Sequence, residues 1–151
     1  MTVKGLRILD KNGRVISVEL PDILEEIPNG NLLHWSILCL EAMGHLGEGK
    51  SIVVFEKQIN HSEKGLFIDW NDLNILAKKF YQVIDITLIG CEDKNLLRRY
   101  ENDQEMYETC DIVIEMIDSG RWEVFSKNEQ LISKLASKFK ETKFLEPDFE
   151  T

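Results

Sequence analysis

The sequence predicts an α+β domain with a mixed or mostly antiparallel sheet packed by three main helices, and three observations carry that reading. Residues 109 to 140 read as strand, tight turn, strand, helix; Asn12-Gly13 lies between two β-rich runs; and no Pro/Gly-rich or low-complexity linker divides the chain. Hairpins interleaved with helices fit this class better than a parallel βαβ series. At 151 residues, 43% hydrophobic and 30% charged, the composition is that of one globular domain over 1 to 151. A chain of this length buries about two-thirds of its unfolded surface.

Residues 5 to 20 are expected to form a β-hairpin, because Asn-Gly suits the central positions of a type I′ turn. Pro21, Pro28 and Asn29-Gly30 mark a connection, and Asn31 is positioned to cap a helix running to about Leu46. That helix carries Leu32, Leu33, Ile37, Leu40 and Met43 on one side and Trp35, Leu38, Ala42 and Leu46 on the other, so burial on more than one side is expected. Gly47-Glu48-Gly49-Lys50 breaks it. Residues 51 to 57 (SIVVFEK) then read as a strand, paired with a short strand at 66 to 69 across a loop holding His61 and Gly65.

Asp69 or Asn71 caps a second helix, whose Leu73, Leu76, Ala77 and Phe80 form one stripe behind Trp70. Residues 82 to 90 are a further strand, with Asp85 read as a carboxylate at a sheet edge or end. Periodicity is weak from 91 to 109, where Leu96, Leu97 and Tyr100 fit a short helix. In residues 111 to 117, Asp, Val, Glu and Ile alternate with Ile, Ile and Met, the period-two pattern of a strand with one buried side. A loop at Ser119-Gly120 sets Asp118 opposite Arg121 and Ile117 opposite Trp122, each pair worth under about 1 kcal/mol. Ser126-x-x-Glu129 has capping-box spacing for a third helix, with Leu131, Ile132, Leu135 and Phe139 on its inner face. Residues 143 to 145 add a strand or packed segment, and a frayed tail is expected from about 146.

The net charge of −9 argues against a nucleic-acid groove and for a surface that meets a basic protein. By thirds, residues 1 to 50 carry −2, 51 to 100 carry 0, and 101 to 151 carry −7. Residues 101 to 118 hold Glu101, Asp103, Glu105, Glu108, Asp111, Glu115 and Asp118 with no lysine or arginine, and with Trp122 they are the candidate partner-binding residues. A solvated acidic face kept for solubility is the plainer reading of the same run. No run approaches the roughly 18 apolar residues of a membrane span, and the first residues lack an apolar run of signal-peptide length, which points to the cytoplasm. Cys39, Cys91 and Cys110 are odd in number and widely spaced, so they are expected as reduced thiols, with neither a disulfide framework nor a zinc site.

On the expected first helix, His34, Glu41 and His45 form the one continuous polar stripe, a pocket candidate for metal binding or acid–base chemistry. His34 and Glu41 would lie roughly 10 Å apart there, too far to share one ion, and hydrogen bonding to a neighbour or water is the simpler role. Gly44 and Gly49-Lys50-Ser51 satisfy the bare spacing of a phosphate loop. The expected order of helix before and strand after inverts the context such a loop requires. No cofactor is expected.

Two stretches, WNDLNILAKKFYQVIDITLIGC and CDIVIEMIDSGRWEVFSKNEQLISKLASKF, resemble segments of small uncharacterised bacterial proteins, some similar to immunity proteins that accompany polymorphic toxins. The resemblance spans about a third of the chain and implies a non-enzymatic cytoplasmic protein that binds and blocks a partner, often a basic nuclease. The alternatives are a small enzyme or metal-binding protein using the histidine stripe, and a structural or adaptor domain.

Overall fold

The computed structural model describes residues 3–146; the frayed tail expected beyond Glu146 lies outside them. The fold is α+β and its main sheet is antiparallel throughout. In chain order the elements are Lys4–Ile8 (β1), Lys11–Asn12 (β2), Val15–Ile16 (β3), Leu20–Leu24 (α1), His34–Gly44 (β4), Ile52–His61 (α2), Leu66–Ile68 (β5), Trp70–Ala77 (α3), Phe80–Cys91 (β6), Asp103–Thr109 (α4), Ile112–Ile117 (β7), Arg121–Ser126 (β8), Glu129–Lys138 (α5) and Thr142–Leu145 (β9). The seven-stranded sheet runs β5-β4-β6-β7-β8-β1-β9, with β2 and β3 as a separate two-stranded ribbon.

Two cores lie on opposite faces of this sheet. Leu6, Ile8, Ile86, Leu88, Ile112, Ile114, Met116 and Val124 face the larger one, packed by residues of α1, α3 and α5. Alternate residues Ile89, Val113 and Phe125 face a smaller core closed by Leu97, Met106, Tyr107 and Cys110. The period-two pattern of 111 to 117 describes β7 as found. The third helix is present too, although Asn128 caps it by accepting the Leu131 amide, while Ser126 Oγ accepts the Asn128 amide. Asp69 caps α3, its Oδ1 accepting the Asp72 amide at 2.8 Å.

Residues 31 to 57 reverse the expected order. The predicted helix over 31 to 46 is strand β4, and the predicted strand over 51 to 57 is helix α2. β4 is buried along most of its length and departs from regular register between Ile37 and Cys39, Glu41 and Ala42, and Met43 and Gly44. Those irregularities erase the strict alternation of a strand, and an apolar run without alternation is indistinguishable by period from a buried helix. In α2, Ile52, Phe55 and Ile59 recur at helical spacing toward the core, while Val53 and Val54 face out. Their β-branched character misdirects a propensity reading.

α2 also seals the sheet. β5 pairs only with Trp35 to Ile37, so the outer backbone groups of β4 beyond that point need other partners. Asn60 supplies both for Leu40, accepting its amide at 3.0 Å and donating to its carbonyl at 3.1 Å, and Glu56 accepts the Ala42 amide at 3.1 Å. Arg99 completes the seal by donating to the carbonyls of Leu38, Ile59 and Ser62 at 2.6, 2.9 and 3.0 Å.

The expected hairpin over 5 to 20 shrinks to the β2–β3 ribbon, because β1 is held instead between β8 and β9. The β7–β8 turn is one residue out from the sequence reading: Ile117 pairs with Arg121 and Met116 with Trp122. Asp118 and Ser119 occupy the turn, with φ of 48° and 56°.

Candidate functional site

The candidate site is a cleft at the end of the sheet where β6 and β8 finish and β7 begins. It encloses about 710 Å³, with Ile27, Pro28, Leu32, Leu33, Ile112 and Leu131 as apolar wall. Glu92, Asp111 and Glu129 contribute three carboxylates and Lys127 one ammonium. Local hydrogen bonds fix this rim. Asp111 Oδ2 accepts the Glu92 amide at 2.7 Å, the Ser126 hydroxyl donates to the Asp111 carbonyl at 3.1 Å, and Lys127 Nζ donates to the Thr109 carbonyl at 3.1 Å. A cleft with an apolar wall and a few held polar groups is the usual form of a binding site. Its excess of carboxylates favours a cationic group.

A second polar cluster crosses the sheet on the α4 side. Cys39, Thr87, Glu115, Glu123 and Arg7 occupy successive cross-strand positions from β4 to β1. The Cys39 thiol donates to Thr87 Oγ1 at 3.3 Å and the Thr87 hydroxyl to Glu115 Oε2 at 3.4 Å, while the Tyr107 hydroxyl bonds Glu115 Oε1. Arg7 and Arg121 both donate to Glu123 Oε2, at 2.8 and 3.1 Å. Burial pushes the Glu115 carboxyl up to about 7, and the nearby Asp103 and Glu123 charges push the same way.

The acidic run therefore does not form one surface. Glu101, Asp103 and Glu108 are exposed along the α4 segment, Glu105 pairs with Arg98 at 3.2 Å, and Glu115 is largely buried in the sheet. Asp111 and Asp118 flank opposite ends of β7, roughly 20 Å apart at strand spacing. Trp122 is no exposed anchor either: it is 1% accessible and its indole donates to the Val18 carbonyl at 2.8 Å. The pocket expected from His34, Glu41 and His45 is absent as such. On a strand His34 and Glu41 separate by roughly 20 Å, Glu41 lies opposite Asp85, and all three are exposed. Among the described residues no group of three or more His, Cys, Asp or Glu side chains is arranged to hold a metal ion. No described helix is long and apolar enough to cross a membrane.

The phosphate-loop spacing sits in a different context from the one its sequence predicts, since β4 precedes the glycines and α2 follows. Three amides along this stretch are engaged within the chain. The Gly47 amide donates to His45 Nδ1, the Lys50 amide to the Gly47 carbonyl, and the Val54 amide to Ser51 Oγ. A phosphate cradle needs such amides turned toward the ligand.

Glu92, Leu32, Lys127 and Asn128 escape a sequence reading of the cleft because they come from three separate segments. The one available signal is the cluster of cap residues around 126 to 129, which marks a helix start and says nothing of what faces it. The chain matches no protein-family model, no curated protein and no solved structure.

Proposed function

We propose that this is a non-enzymatic cytoplasmic binding protein of the immunity or antitoxin kind, which blocks a basic protein by taking one of its lysine or arginine side chains into the cleft. The carrying observation is the cleft itself, where Glu92, Asp111 and Glu129 outnumber Lys127 beside an apolar wall. A long basic side chain matches both halves, its methylene stem lying on Leu32 and Leu33 and its charge meeting the carboxylates. The exposed Glu101, Asp103 and Glu108 add negative field on the neighbouring segment and speed encounter with a cation. The reading drops Trp122 and Glu115 from the contact surface, since both are largely enclosed. The enzyme or metal alternative built on His34, Glu41 and His45 has no shared site through which those residues could act together.

The test takes a toxin encoded beside the gene and measures association and dissociation across a salt series, for wild type and the triple variant Glu92→Gln, Asp111→Asn, Glu129→Gln. The reading expects association to slow with rising salt and affinity to fall at least tenfold in the variant. Equal affinity for both proteins, with no salt dependence, would remove the cleft and favour an adaptor role through another face.

A further inference from the structure

Two of the three cysteines, remote in sequence, meet behind the acidic rim of the cleft. Cys91 ends β6, and Cys110 follows α4 as its C-terminal cap. Their segments run side by side, because the Asp111 amide donates to the Gly90 carbonyl at 3.0 Å and Gly90 pairs with Ile112. Both residues are buried, at 0% and 1% accessibility, side by side in the smaller core. Cys39 stands apart, its thiol engaged with Thr87.

The pair is asymmetric. Hydrogen bonding from Cys91 lowers the pKa of Cys110, and the same contact raises that of Cys91. Tyr100 lies beside Cys110, but its hydroxyl donates to the Leu96 carbonyl at 2.6 Å, so Cys91 is the donor that favours a Cys110 thiolate. Burial and the neighbouring Asp111 charge oppose the thiolate, and the positive charge of Lys127 favours it, with the lowering prevailing.

We propose that Cys91 and Cys110 are a redox-responsive dithiol that a hydroperoxide converts to an intramolecular disulfide. The Cys110 thiolate attacks one peroxide oxygen, the O–O bond breaks, hydroxide leaves, and Cys110 becomes a sulfenic acid. The Cys91 sulfur then attacks the Cys110 sulfur; the S–S bond forms as the S–O bond breaks, and the departing oxygen leaves as water with the Cys91 proton. With hydrogen peroxide, the oxidant gains the two electrons that the thiols lose, the first hydroxide is protonated from solvent, and each bridge releases two waters. Burial restricts the reaction to small oxidants that enter as the segment before β7 opens locally. The bridge pins the end of α4 to the end of β6, directly behind Glu92 and Asp111.

The experiment treats the full-length native protein with hydrogen peroxide, then counts thiols after denaturation and maps linked peptides by mass spectrometry. The expected result is a fall from three free thiols to one in a monomeric product, with Cys91 linked to Cys110 and full recovery on reduction with dithiothreitol. Cys39→Ser should fall from two thiols to none. Cys91→Ser should give no internal bridge and a Cys110 sulfenic acid trapped by dimedone; if that variant does not fold, the wild-type peptide map decides alone. Linkage through Cys39, bridges between chains, irreversible oxidation without a 91–110 bond, or three intact thiols at doses that consume those of the unfolded chain would each overturn the proposal.

Discussion

Glu115 and Glu123 stand directly opposite each other on β7 and β8, yet their surroundings treat the two carboxyls in opposite ways. Glu123 receives two arginines, whereas Glu115 is met by the hydroxyls of Tyr107 and Thr87. Like charges in such a pair are destabilising, and a proton on Glu115 removes the repulsion.

The first prediction follows from that proton. Glu115 has a native pKa of about 7 against an ordinary value of 4.5, so between these limits the folded chain holds a proton that the unfolded chain has lost. Its contribution to stability is full below pH 4.5, declines as pH rises through 7, and is then constant; the total change is at most about 3 kcal/mol. Urea unfolding at pH 5 and pH 8 should show Glu115→Gln gaining on wild type at the higher pH. A gap between the two proteins that is the same at both pH values would place the charge of Glu115 in water.

The second prediction concerns the sealed edge of β4. Asn60→Ala leaves the Leu40 amide and carbonyl without their partners, at a cost of about 1 to 3 kcal/mol for each group that water does not reach. Hydrogen exchange at Leu40 should rise by more than the global loss of stability explains. Unchanged protection there would mean that solvent already serves the edge.

A third prediction tests the approach of Gly30 to Trp70. A Cβ on Gly30 would lie 2.6 Å from the Trp70 ring, which stacks on Trp35 with centroids 5.2 Å apart. The Gly30 carbonyl also accepts the Trp35 indole at 2.9 Å, so the ring cannot retreat without disturbing that bond. Gly30→Ala should cost about 1 to 3 kcal/mol and alter the near-ultraviolet circular dichroism of the tryptophans. Wild-type stability and spectrum together would show that the rings are loosely held.

Legibility follows regularity in this chain. β7, α3 and α5 are readable because their apolar residues keep one period, as Ile112, Ile114 and Met116 do against Val113 and Glu115, whereas β6 alternates only from Ile86 on, Val83 facing the same core as Ile86 and Leu88. β4 and α2 are misread for a shared reason. Bulges rob β4 of its alternation, and Val53 and Val54 face solvent on a helix whose inner face is set by Ile52, Phe55 and Ile59. The cleft is illegible because Leu32, Glu92, Asp111 and Glu129 come from four stretches of chain that only the tertiary fold brings together. Asp111 is found in advance as one member of a charge run, without any sign that it parts company with Asp118.

The last prediction settles where the β7–β8 turn lies. Sequence spacing puts Ser119 and Gly120 at its centre, whereas in the structure the Gly120 amide donates to the Ile117 carbonyl at 2.9 Å across Asp118 and Ser119, both at positive φ. Left-handed backbone costs a residue with a Cβ roughly 1 kcal/mol or more, and Asp tolerates it better than most. Asp118→Asn with Ser119→Gly installs the pair most suited to these two positions, at the loss of the exposed Gln82 to Ser119 bond. The double variant should be more stable by about 0.5 kcal/mol, since glycine's greater freedom in the unfolded chain offsets part of the relief. Gly120→Ala is the discriminating change. Gly120 is not at positive φ, and a Cβ there meets only the carbonyls of Asp118 and Ile117 at 3.6 Å, an ordinary contact. Thermal melts should therefore leave Gly120→Ala near wild type while Ser119→Val, a β-branched residue forced into left-handed backbone, loses a few degrees. The reverse order of those two variants would put the turn at 119 and 120 and shift the β7–β8 register by one residue.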